Sequence, residues 1–316
     1  MAFRGDGTSN VPLSCSVFPM RTTVLLVSLL TSLLWGHHAL SKDFKIATWN
    51  LQFLAESVGA GCKPRTDTDY AELRRYAEAL DADIIAFQEV ESANAAHRVF
   101  DPELYNIEIS ARPAPTSPEE CWYLEDQFLT HQRVGFAIRK GIRYSRNPDL
   151  DALGVNDTRW GVDITVHETT PLRLLAIHLK SGCSQDPPWS SKPACKTLFQ
   201  QLPVLERWID RRAAEGVPFI VLGDFNRRLT LPGDVFWDAI DDGEPANADL
   251  TLAAEHRTSQ CLKRFPYFID HIVLGRTATQ LADPGSFEVL IYDGPEAAYP
   301  SDHCPVALRI DPVTAL

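Results

Sequence analysis

The sequence predicts an α/β fold in which two β-sheets pack against each other and helices cover their outer faces. Two observations indicate this fold class. Strand and helix patterns alternate early in the chain, and patterns for consecutive strands follow between residues 133 and 180. A third observation concerns organisation: no repeat, low-complexity tract or linker divides residues 42–316. We therefore expect one domain over this range, which is large for a single domain but acceptable for such a sandwich.

The first half of this range alternates between strand and helix patterns. The apolar run FKIATWNLQFL (44–54) is typical of a strand. Residues 67–80 predict a helix, because apolar residues recur at intervals of three and four and Asp67 can cap its start. The run DIIAFQEV (83–90) predicts a buried strand, whereas the polar, Pro-containing stretch 110–132 predicts a loop.

The second half contains more strands and one long helix. Three consecutive strands are predicted at RVGFAIRK (133–140), RWGVDITVHE (159–168) and LRLLAIHLK (172–180). A helix is predicted over 197–215, with a kink at Pro203 and an end at Gly216. Further strands are predicted at VPFIVLGDFN (217–226), YFIDHIVL (267–274) and VALRI (306–310).

The N-terminal segment has the pattern of an export signal. An apolar run of 14 residues (22–35) follows Arg21, and it is short for a membrane span, which needs about 20 residues. Small residues at Ala39 and Ser41 predict cleavage after Ser41, and translation is expected to start at Met20. We expect a secreted or periplasmic protein without an integral membrane span; an uncleaved N-terminal anchor is the alternative.

The charge balance limits the partners of the exported chain. Removal of residues 1–41 leaves 28 basic and 41 acidic residues, a formal net charge of −13. Such a chain should not bind nucleic acid through a broad basic face. A bound metal ion can still attract a phosphate locally, because the ion supplies the positive charge.

Six cysteines remain after residue 41, and an even number in an exported chain predicts disulfides. Cys183 and Cys195 bracket a short loop rich in Pro and Ser and form the favoured pair. Cys62 and Cys121 lie in polar, Pro-containing segments and form the second pair. The remaining two, at positions 261 and 304, can pair or stay free. A zinc site is disfavoured, since no two cysteines lie two or three residues apart.

Six short apolar runs end in, or carry, polar residues of catalytic type. For Glu89 alone, the cap of a turn explains the pattern equally well, but open α/β sheets place their sites at strand ends. Carboxylates suit Mg²⁺, Mn²⁺ or Ca²⁺, and histidines can contact a phosphate or move a proton. The polar residues in these runs are Asn50, Glu89, His178, Asp224, Asn226, Asp270, Asp302 and His303.

Other reaction classes lack their motifs in this sequence. It contains no G-x-S-x-G elbow, no Walker loop and no G-x-G-x-x-G, which argues against acyl hydrolases, nucleotide-driven enzymes and dinucleotide oxidoreductases.

The motifs TWNLQFL, FQEV, HLKSG, GDFN, FIDHIVL and SDHCPV, in this order, resemble those of the endonuclease/exonuclease/phosphatase superfamily, in particular its deoxyribonuclease-like members. The resemblance extends from about residue 44 to residue 310. It implies a four-layer sandwich of two mixed β-sheets flanked by helices, and thus a single catalytic domain over 42–316. It also implies hydrolysis of phosphodiesters with Mg²⁺, or with Mn²⁺ or Ca²⁺, in a secreted, bacterial-type enzyme.

The resemblance also implies a role for each motif residue. Glu89 matches the main metal ligand, Asn50 the asparagine that supports the metal or its water, and Asp302 the acidic residue beside the metal. The expected catalytic residues are Asp224 for the attacking water, Asn226 beside it, His303 on the scissile phosphate with Asp270 holding its imidazole, and His178 as the second phosphate contact.

Two further residues are candidate contacts for a substrate phosphate. Arg159 matches a phosphate-binding arginine, with a surface arginine on a strand as the alternative. Lys180 can contact a substrate phosphate, and the alternative is a solvated lysine beside the disulfide loop. The family's inositol phosphatases carry Arg where this chain has His271, which counts against that substrate class. Gln52 stands where some repair endonucleases have an acidic residue.

The sequence therefore predicts a monomeric phosphodiester hydrolase, most simply a nuclease acting on DNA or RNA. The acidic surface keeps open a phosphodiesterase or phosphatase acting on lipid or sugar phosphates. A binding protein with a dead site on the same fold is disfavoured, since a dead site has no chemical need for the complete set of polar residues.

Overall fold

The computed structural model describes residues 7–8, 10, 12–14, 43–117 and 119–311. The predicted export signal, its cleavage point and the start at Met20 lie outside the described residues. Between residues 43 and 311 the strands, in chain order, are β1 (Phe44–Leu54), β2 (Ile84–Val90), β3 (Tyr105–Ile109), β4 (Arg133–Arg139), β5 (Tyr144–Arg146), β6 (Val162–Val166), β7 (Leu172–His178), β8 (Phe219–Asp224), β9 (Leu250–Leu252), β10 (Asp270–Gly275), β11 (Ala282–Val289) and β12 (Val306–Ile310).

These strands form two mixed sheets of six strands each. The first has the order β11-β12-β1-β2-β4-β3 and the second the order β5-β6-β7-β8-β10-β9. Each sheet holds one parallel pair near its centre, β1 with β2 and β7 with β8, while the other neighbours run antiparallel. Polar side chains at the carboxyl ends of each parallel pair consequently lie side by side.

Five α-helices occur in the described part of the chain: α1 (Asp67–Leu80), α2 (Ala93–His97), α3 (Pro193–Glu215), α4 (Val235–Ile240) and α5 (Arg276–Thr279). One apolar cluster lies between the sheets, built from alternate residues of strands in both. A second cluster packs α1 and α2 on the outer face of the first sheet, and a third packs α3 and α4 on the second. The predicted four-layer sandwich is confirmed.

The helix boundaries differ from the predicted ones for local reasons. Thr66, not Asp67, caps α1, because the Thr66 hydroxyl accepts the backbone N–H of Asp69 while the Asp69 carboxylate accepts that of Thr66. Helix α3 begins four residues before the predicted start, at Pro193, which needs no hydrogen-bond partner for its nitrogen. It continues through Pro203 and ends, as predicted, at Gly216 with φ 67°.

Several elements had no clear pattern in the sequence. Strands β3 and β11 were not predicted, and β10 begins at Asp270, three residues after the predicted start. The stretch 110–132, as far as it is described, contains no helix and no strand beyond one isolated bridge, in agreement with the predicted loop. No helix among the described residues is long and apolar enough to cross a bilayer.

Three disulfides join the six cysteines after residue 41. The favoured pair Cys183–Cys195 and the second pair Cys62–Cys121 are confirmed, with Cα atoms 4.9 and 5.4 Å apart. The last two cysteines, Cys261 and Cys304, also pair, with Cα atoms 5.6 Å apart.

Candidate active site

Three polar side chains lie in one row across neighbouring strands of the second sheet. The register pairs His178 of β7 with Asp224 of β8, and Asp224 with Asp270 of β10. Because side chains alternate along a strand, these three point to the same face as Leu222 and Ile272, which lie in the cluster between the sheets. The row therefore continues the inner face of this sheet beyond its apolar part.

The first sheet contributes Asn50 and Glu89. Asn50 lies in phase with Ile46, so it continues the inner face of β1. Simple alternation would send Glu89 the other way, with Phe87, which packs beneath α1. The register of β2 breaks between Phe87 and Val90, and Glu89 has φ 61°, so its carboxylate comes within 3.2 Å of the Asn50 amide.

Hydrogen bonds join the two sheets at this point. The Asn50 Nδ2 donates to Glu89 Oε1 at 3.2 Å and to Asp224 Oδ2 at 3.0 Å. The Asn50 Oδ1 accepts the backbone N–H of Gln52 at 2.9 Å, and Glu89 Oε2 accepts that of Phe53 at 3.0 Å. Asn50 thus presents its amide nitrogen to both carboxylates, and its oxygen is already engaged with the backbone.

His303 and Asp270 form a close pair on the opposite side of Asp224. The His303 Nδ1 lies 2.7 Å from Asp270 Oδ2, so the ring donates its Nδ1–H to the carboxylate. The other nitrogen, Nε2, lies 3.8 Å from Asp302 Oδ1 and 4.0 Å from Asp224 Oδ2. Asp270 consequently fixes the ring orientation, and Nε2 is directed toward the centre of the site.

Burial and neighbouring charges set the protonation of this group. Burial, together with the negative charge of Asp270, raises the pKa of Asp224 to about 7, although His303 opposes this. Burial alone would lower the pKa of His303, but Asp270, Asp224 and Asp302 outweigh it and hold that pKa well above its usual value. At neutral pH His303 is therefore a cation, and Asp224 can take or release a proton.

His178 remains neutral in the same site. Burial lowers the pKa of His178 well below its usual value, and the cations Arg159 and His303 lower it further. Its Nε2 lies 3.3 Å from Asp224 Oδ2 and 3.8 Å from Glu89 Oε1. A neutral ring with its proton on Nε2 would donate to Asp224 and could present the same N–H to a substrate oxygen.

Asn226 follows β8 in a left-handed conformation, with φ 52°. Its backbone N–H donates to Asp224 Oδ1 at 2.8 Å, and its Nδ2 donates to the carbonyl of Leu179 at 3.1 Å. Asn226 therefore holds the Asp224 carboxylate in place and joins the ends of β7 and β8.

The remaining predicted residues lie around this centre. The Asp302 side chain is half exposed, and its backbone N–H donates to Gln52 Oε1 at 3.1 Å, so it lies at the rim. Arg159 donates to the carbonyl of Leu179 beside the site. The Lys180 side chain lines a neighbouring cavity with Arg159.

Two site residues were missed in the sequence. The Ser301 hydroxyl donates to the Asn50 carbonyl at 2.7 Å and accepts the His303 N–H at 3.1 Å. The Tyr292 hydroxyl donates to the His303 carbonyl at 2.5 Å. Ser301 was visible as the first residue of the SDH motif, whereas Tyr292 stands outside every predicted element.

The donor set fits a hard divalent cation. Burial raises the pKa of Glu89, and no cation lies within ion-pair distance of it among the described residues, because its one basic neighbour there, His178, is neutral. A buried carboxylate of this kind is stable only with a partner, and oxygen ligands suit Mg²⁺, Mn²⁺ and Ca²⁺.

The sequence profile of the Endonuclease/Exonuclease/phosphatase family matches residues 47–303. No curated protein matches the chain significantly in sequence.

Among solved structures, the human Nocturnin catalytic domain with bound sulfate has a TM-score of 0.55 at 15% identity, over 84% of this chain and 93% of its own. Truncated Caenorhabditis elegans TDP2 has a TM-score of 0.57 at 14% identity, over 85% and 98%. The Neisseria 3′ phosphatase NExo bound to a product DNA hairpin has 0.55 at 16% identity, over 84% and 99%. These likenesses show a shared fold, and the family match supports a phosphoesterase.

Proposed function

Because the chain belongs to the endonuclease/exonuclease/phosphatase family, we propose that it is an exported, monomeric, divalent-metal-dependent hydrolase of phosphodiesters, with DNA or RNA as its leading substrate. The single observation that carries this proposal is the convergence of two groups at one point. Glu89 and Asn50 of the first sheet, with His303 from the loop before β12 of that sheet, meet Asp224 and Asp270 of the second. Three disulfides fit the exported location.

Glu89 is the proposed ligand of the metal, with Asp302 at the rim as a further oxygen donor. When bound, the ion would polarise a phosphoryl oxygen and stabilise the charge of the leaving oxygen. Asn50 acts through Glu89 and Asp224, because its Nδ2 donates to both carboxylates. It therefore sets the spacing between the metal-binding side and the water-activating side of the site.

Asp224 is the proposed acceptor of the proton from the attacking water. Its pKa of about 7 suits this role near neutral pH, and Asn226 fixes its orientation. His303 is a cation whose Nε2–H can donate to a phosphoryl oxygen, while Asp270 holds the ring. Neutral His178 supplies a second N–H donor from the other side of Asp224.

The acidity of the chain favours a second candidate, a phosphodiesterase of smaller lipid or sugar phosphates. A net charge of −13 after the predicted cleavage disfavours attraction to a polyanion. A small diester would contact only the site itself, so the negative charge of the rest of the surface would not prevent its binding.

One assay separates these candidates. The exported protein (predicted as 42–316) is incubated with Mg²⁺, Mn²⁺ or Ca²⁺ and with plasmid DNA, a generic phosphodiester or a generic phosphomonoester. Nicking of plasmid that stops with chelator supports the nuclease; cleavage of the generic diester alone supports the smaller substrates. His303→Ala should lower turnover about 10²–10³-fold. His167→Ala is the control and should leave turnover unchanged, because the His167 ring hydrogen-bonds to the Ser145 hydroxyl on β5 and not to a residue of the site. Absence of cleavage with every metal would contradict the proposal.

A further inference from the structure

Several cations beside the site have no carboxylate partner. Arg133, Arg159 and Lys180 form no ion pair within 4 Å among the described residues, although acidic residues outnumber basic ones in the chain by 42 to 30. Arg133 donates only to backbone carbonyls, those of Glu91 and Arg112. Unpaired cations on an acidic chain are unusual, because most charged groups near a protein's interior are neutralised locally.

Arg159 and Lys180 line one cavity of about 860 Å³, and Arg133 donates to the carbonyls of two other lining residues, Glu91 and Arg112. Arg112, His131, Arg159 and Lys180 line it, and the Leu179 carbonyl connects it to the site, because that carbonyl accepts hydrogen bonds from both Arg159 and Asn226. The cavity therefore begins where the candidate active site ends, on the His178 side of Asp224.

Three carboxylates also line the cavity, but they do not neutralise its inner wall. Asp157 pairs with Arg112 at 2.9 Å with its own side chain 80% exposed, so it lies at the mouth. Glu119 is exposed. Glu91 accepts the backbone N–H of Glu56 at 2.7 Å. None of the three lies within ion-pair distance of Arg159 or Lys180, and Glu119 acts on Lys180 only from farther away.

His131 provides a second, independent sign of a ligand. It is only 8% exposed, it lines the cavity, and neither of its ring nitrogens has a hydrogen-bond partner among the described residues. The Nε atoms of Arg112 and Arg159 also lack partners there. Buried polar groups are almost always hydrogen-bonded, so these donors require an acceptor that the protein chain does not supply.

We propose that this cavity is an anion-binding subsite for a second phosphate group of the substrate, distinct from the phosphate that is cleaved. The inference rests on the proposed function only for the origin of the phosphate, since binding of an anion needs no catalysis. The cavity brings together the guanidinium groups of Arg112 and Arg159, the ammonium of Lys180 and the imidazole of His131. Together they offer several hydrogen-bond donors to one ligand, and a phosphate group has enough acceptor oxygens to bind them all.

Direct binding tests the subsite without catalysis. Inorganic phosphate is titrated into the exported protein by calorimetry in the presence of chelator, because without a metal ion the carboxylates of the catalytic centre outnumber its one cation, His303. One phosphate should bind per chain, and Arg112→Gln and Lys180→Met should each weaken it about tenfold or more. Arg276→Gln serves as the matched control, because Arg276 is exposed and pairs with Asp249 on another part of the surface.

Lys180→Met is expected to fold normally, because the Lys180 side chain makes no hydrogen bond or ion pair in the described part of the chain. Weaker phosphate binding in this variant therefore cannot be caused by misfolding. Phosphate binding that is equal in all variants would overturn the subsite. Acetate that binds as well as phosphate at equal ionic strength would overturn the assignment to phosphate.

A kinetic comparison tests whether the subsite serves the substrate. The dinucleotide dTpdT is compared with its 5′-phosphorylated and 3′-phosphorylated forms, each with one cleavable diester. One phosphorylated form should have a kcat/KM at least tenfold higher than that of dTpdT, through a lower KM. This advantage over dTpdT should shrink in Arg112→Gln and remain in Arg276→Gln. Equal values for all three substrates would overturn the substrate role. If none is cleaved while phosphate still binds, the proposed function fails and the anion site stands.

Discussion

The disulfide nearest the site offers a quantitative test of what stabilises this fold. The double substitution Cys261→Ser and Cys304→Ser removes the bond that joins the segment before β10 to the residue after His303. That bond closes a loop with a sequence separation of 43, whereas the Cys183–Cys195 bond closes one of 12. The two bonds should therefore contribute differently to the free energy of unfolding.

The chain-entropy relation gives the expected sizes. A cross-link restricts the unfolded chain by an entropy that grows with the logarithm of loop length, which amounts to about 4 kcal/mol for a separation of 43 and about 3 kcal/mol for 12. The third bond, Cys62–Cys121, has a separation of 59 and should also contribute about 4 kcal/mol.

Equilibrium unfolding in urea measures these free energies for the three double-serine variants and the wild type under oxidising conditions. The urea concentration at the unfolding midpoint should decrease most for the variants that lose the two longer loops and least for the Cys183–Cys195 variant. Activity at 25 °C should be followed in parallel, because Cys304 directly follows His303 and its release should also loosen the His303–Asp270 pair.

Two results would refute this reasoning. If the Cys183–Cys195 variant lost most stability, native packing around α3, rather than loop closure, would dominate. If the Cys261→Ser and Cys304→Ser variant unfolded at the wild-type midpoint, the bond would contribute nothing to the free energy of unfolding.

Three further results are expected. Asp270→Asn should lower kcat about a hundredfold or more and shift its pH dependence, because the His303 ring loses the carboxylate that fixes it and keeps it charged; unchanged kcat would contradict this role. Burial lowers the pKa of His271 to about 4, below the value of about 6.5 in the unfolded chain, so the free energy of unfolding decreases as the pH falls from about 6.5 toward 4. In urea unfolding, the free energy of unfolding of wild type should therefore drop by about 2 kcal/mol more than that of His271→Gln between pH 7 and pH 5. An equal drop in both proteins would contradict this. Excess chelator should stop hydrolysis without changing the far-ultraviolet circular dichroism, and added Mg²⁺ or Mn²⁺ should restore it; hydrolysis that continues under chelation would contradict metal dependence.

Much of the fold was predictable because its apolar patterns are strong. The long strands β1, β2, β7 and β8 are buried on both faces and appear as continuous apolar runs, and α3 has a clear apolar stripe. Short edge strands are harder to predict: β5 has three residues and one apolar side chain, and β3 alternates apolar and polar residues over only five positions. Helix starts depend on single hydrogen bonds, as at Thr66, and sequence patterns fix them only to within a few residues.

The identity of the site residues was predictable, but their arrangement was not. The row of His178, Asp224 and Asp270 follows from strand ends and from alternation. The contribution of Tyr292 depends on a long-range hydrogen bond to the His303 carbonyl, which no local pattern reveals. His271, which stands where an arginine marks one substrate class, is buried, and its Nε2 lies 2.8 Å from the Arg227 carbonyl. It therefore supports the fold rather than facing a substrate.

Left-handed backbone at the strand ends explains why alternation alone would misplace the site. Gln52, Phe53, Glu89 and Asn226 have φ between 45° and 61°, a conformation that costs roughly 1–2 kcal/mol for a residue with a side chain. At each position this backbone conformation places a group that the site uses, and at Gln52 it aims the N–H at Asn50 Oδ1. At Glu89 it turns a carboxylate from the helix-covered face to the inner face; at Phe53 it aims an N–H at that carboxylate; at Asn226 it aims one at Asp224. Glycine at position 89 would adopt this backbone conformation without strain, but it would remove the proposed metal ligand. The strained residue is therefore kept because regular strand geometry would not bring a carboxylate to the inner face at this position.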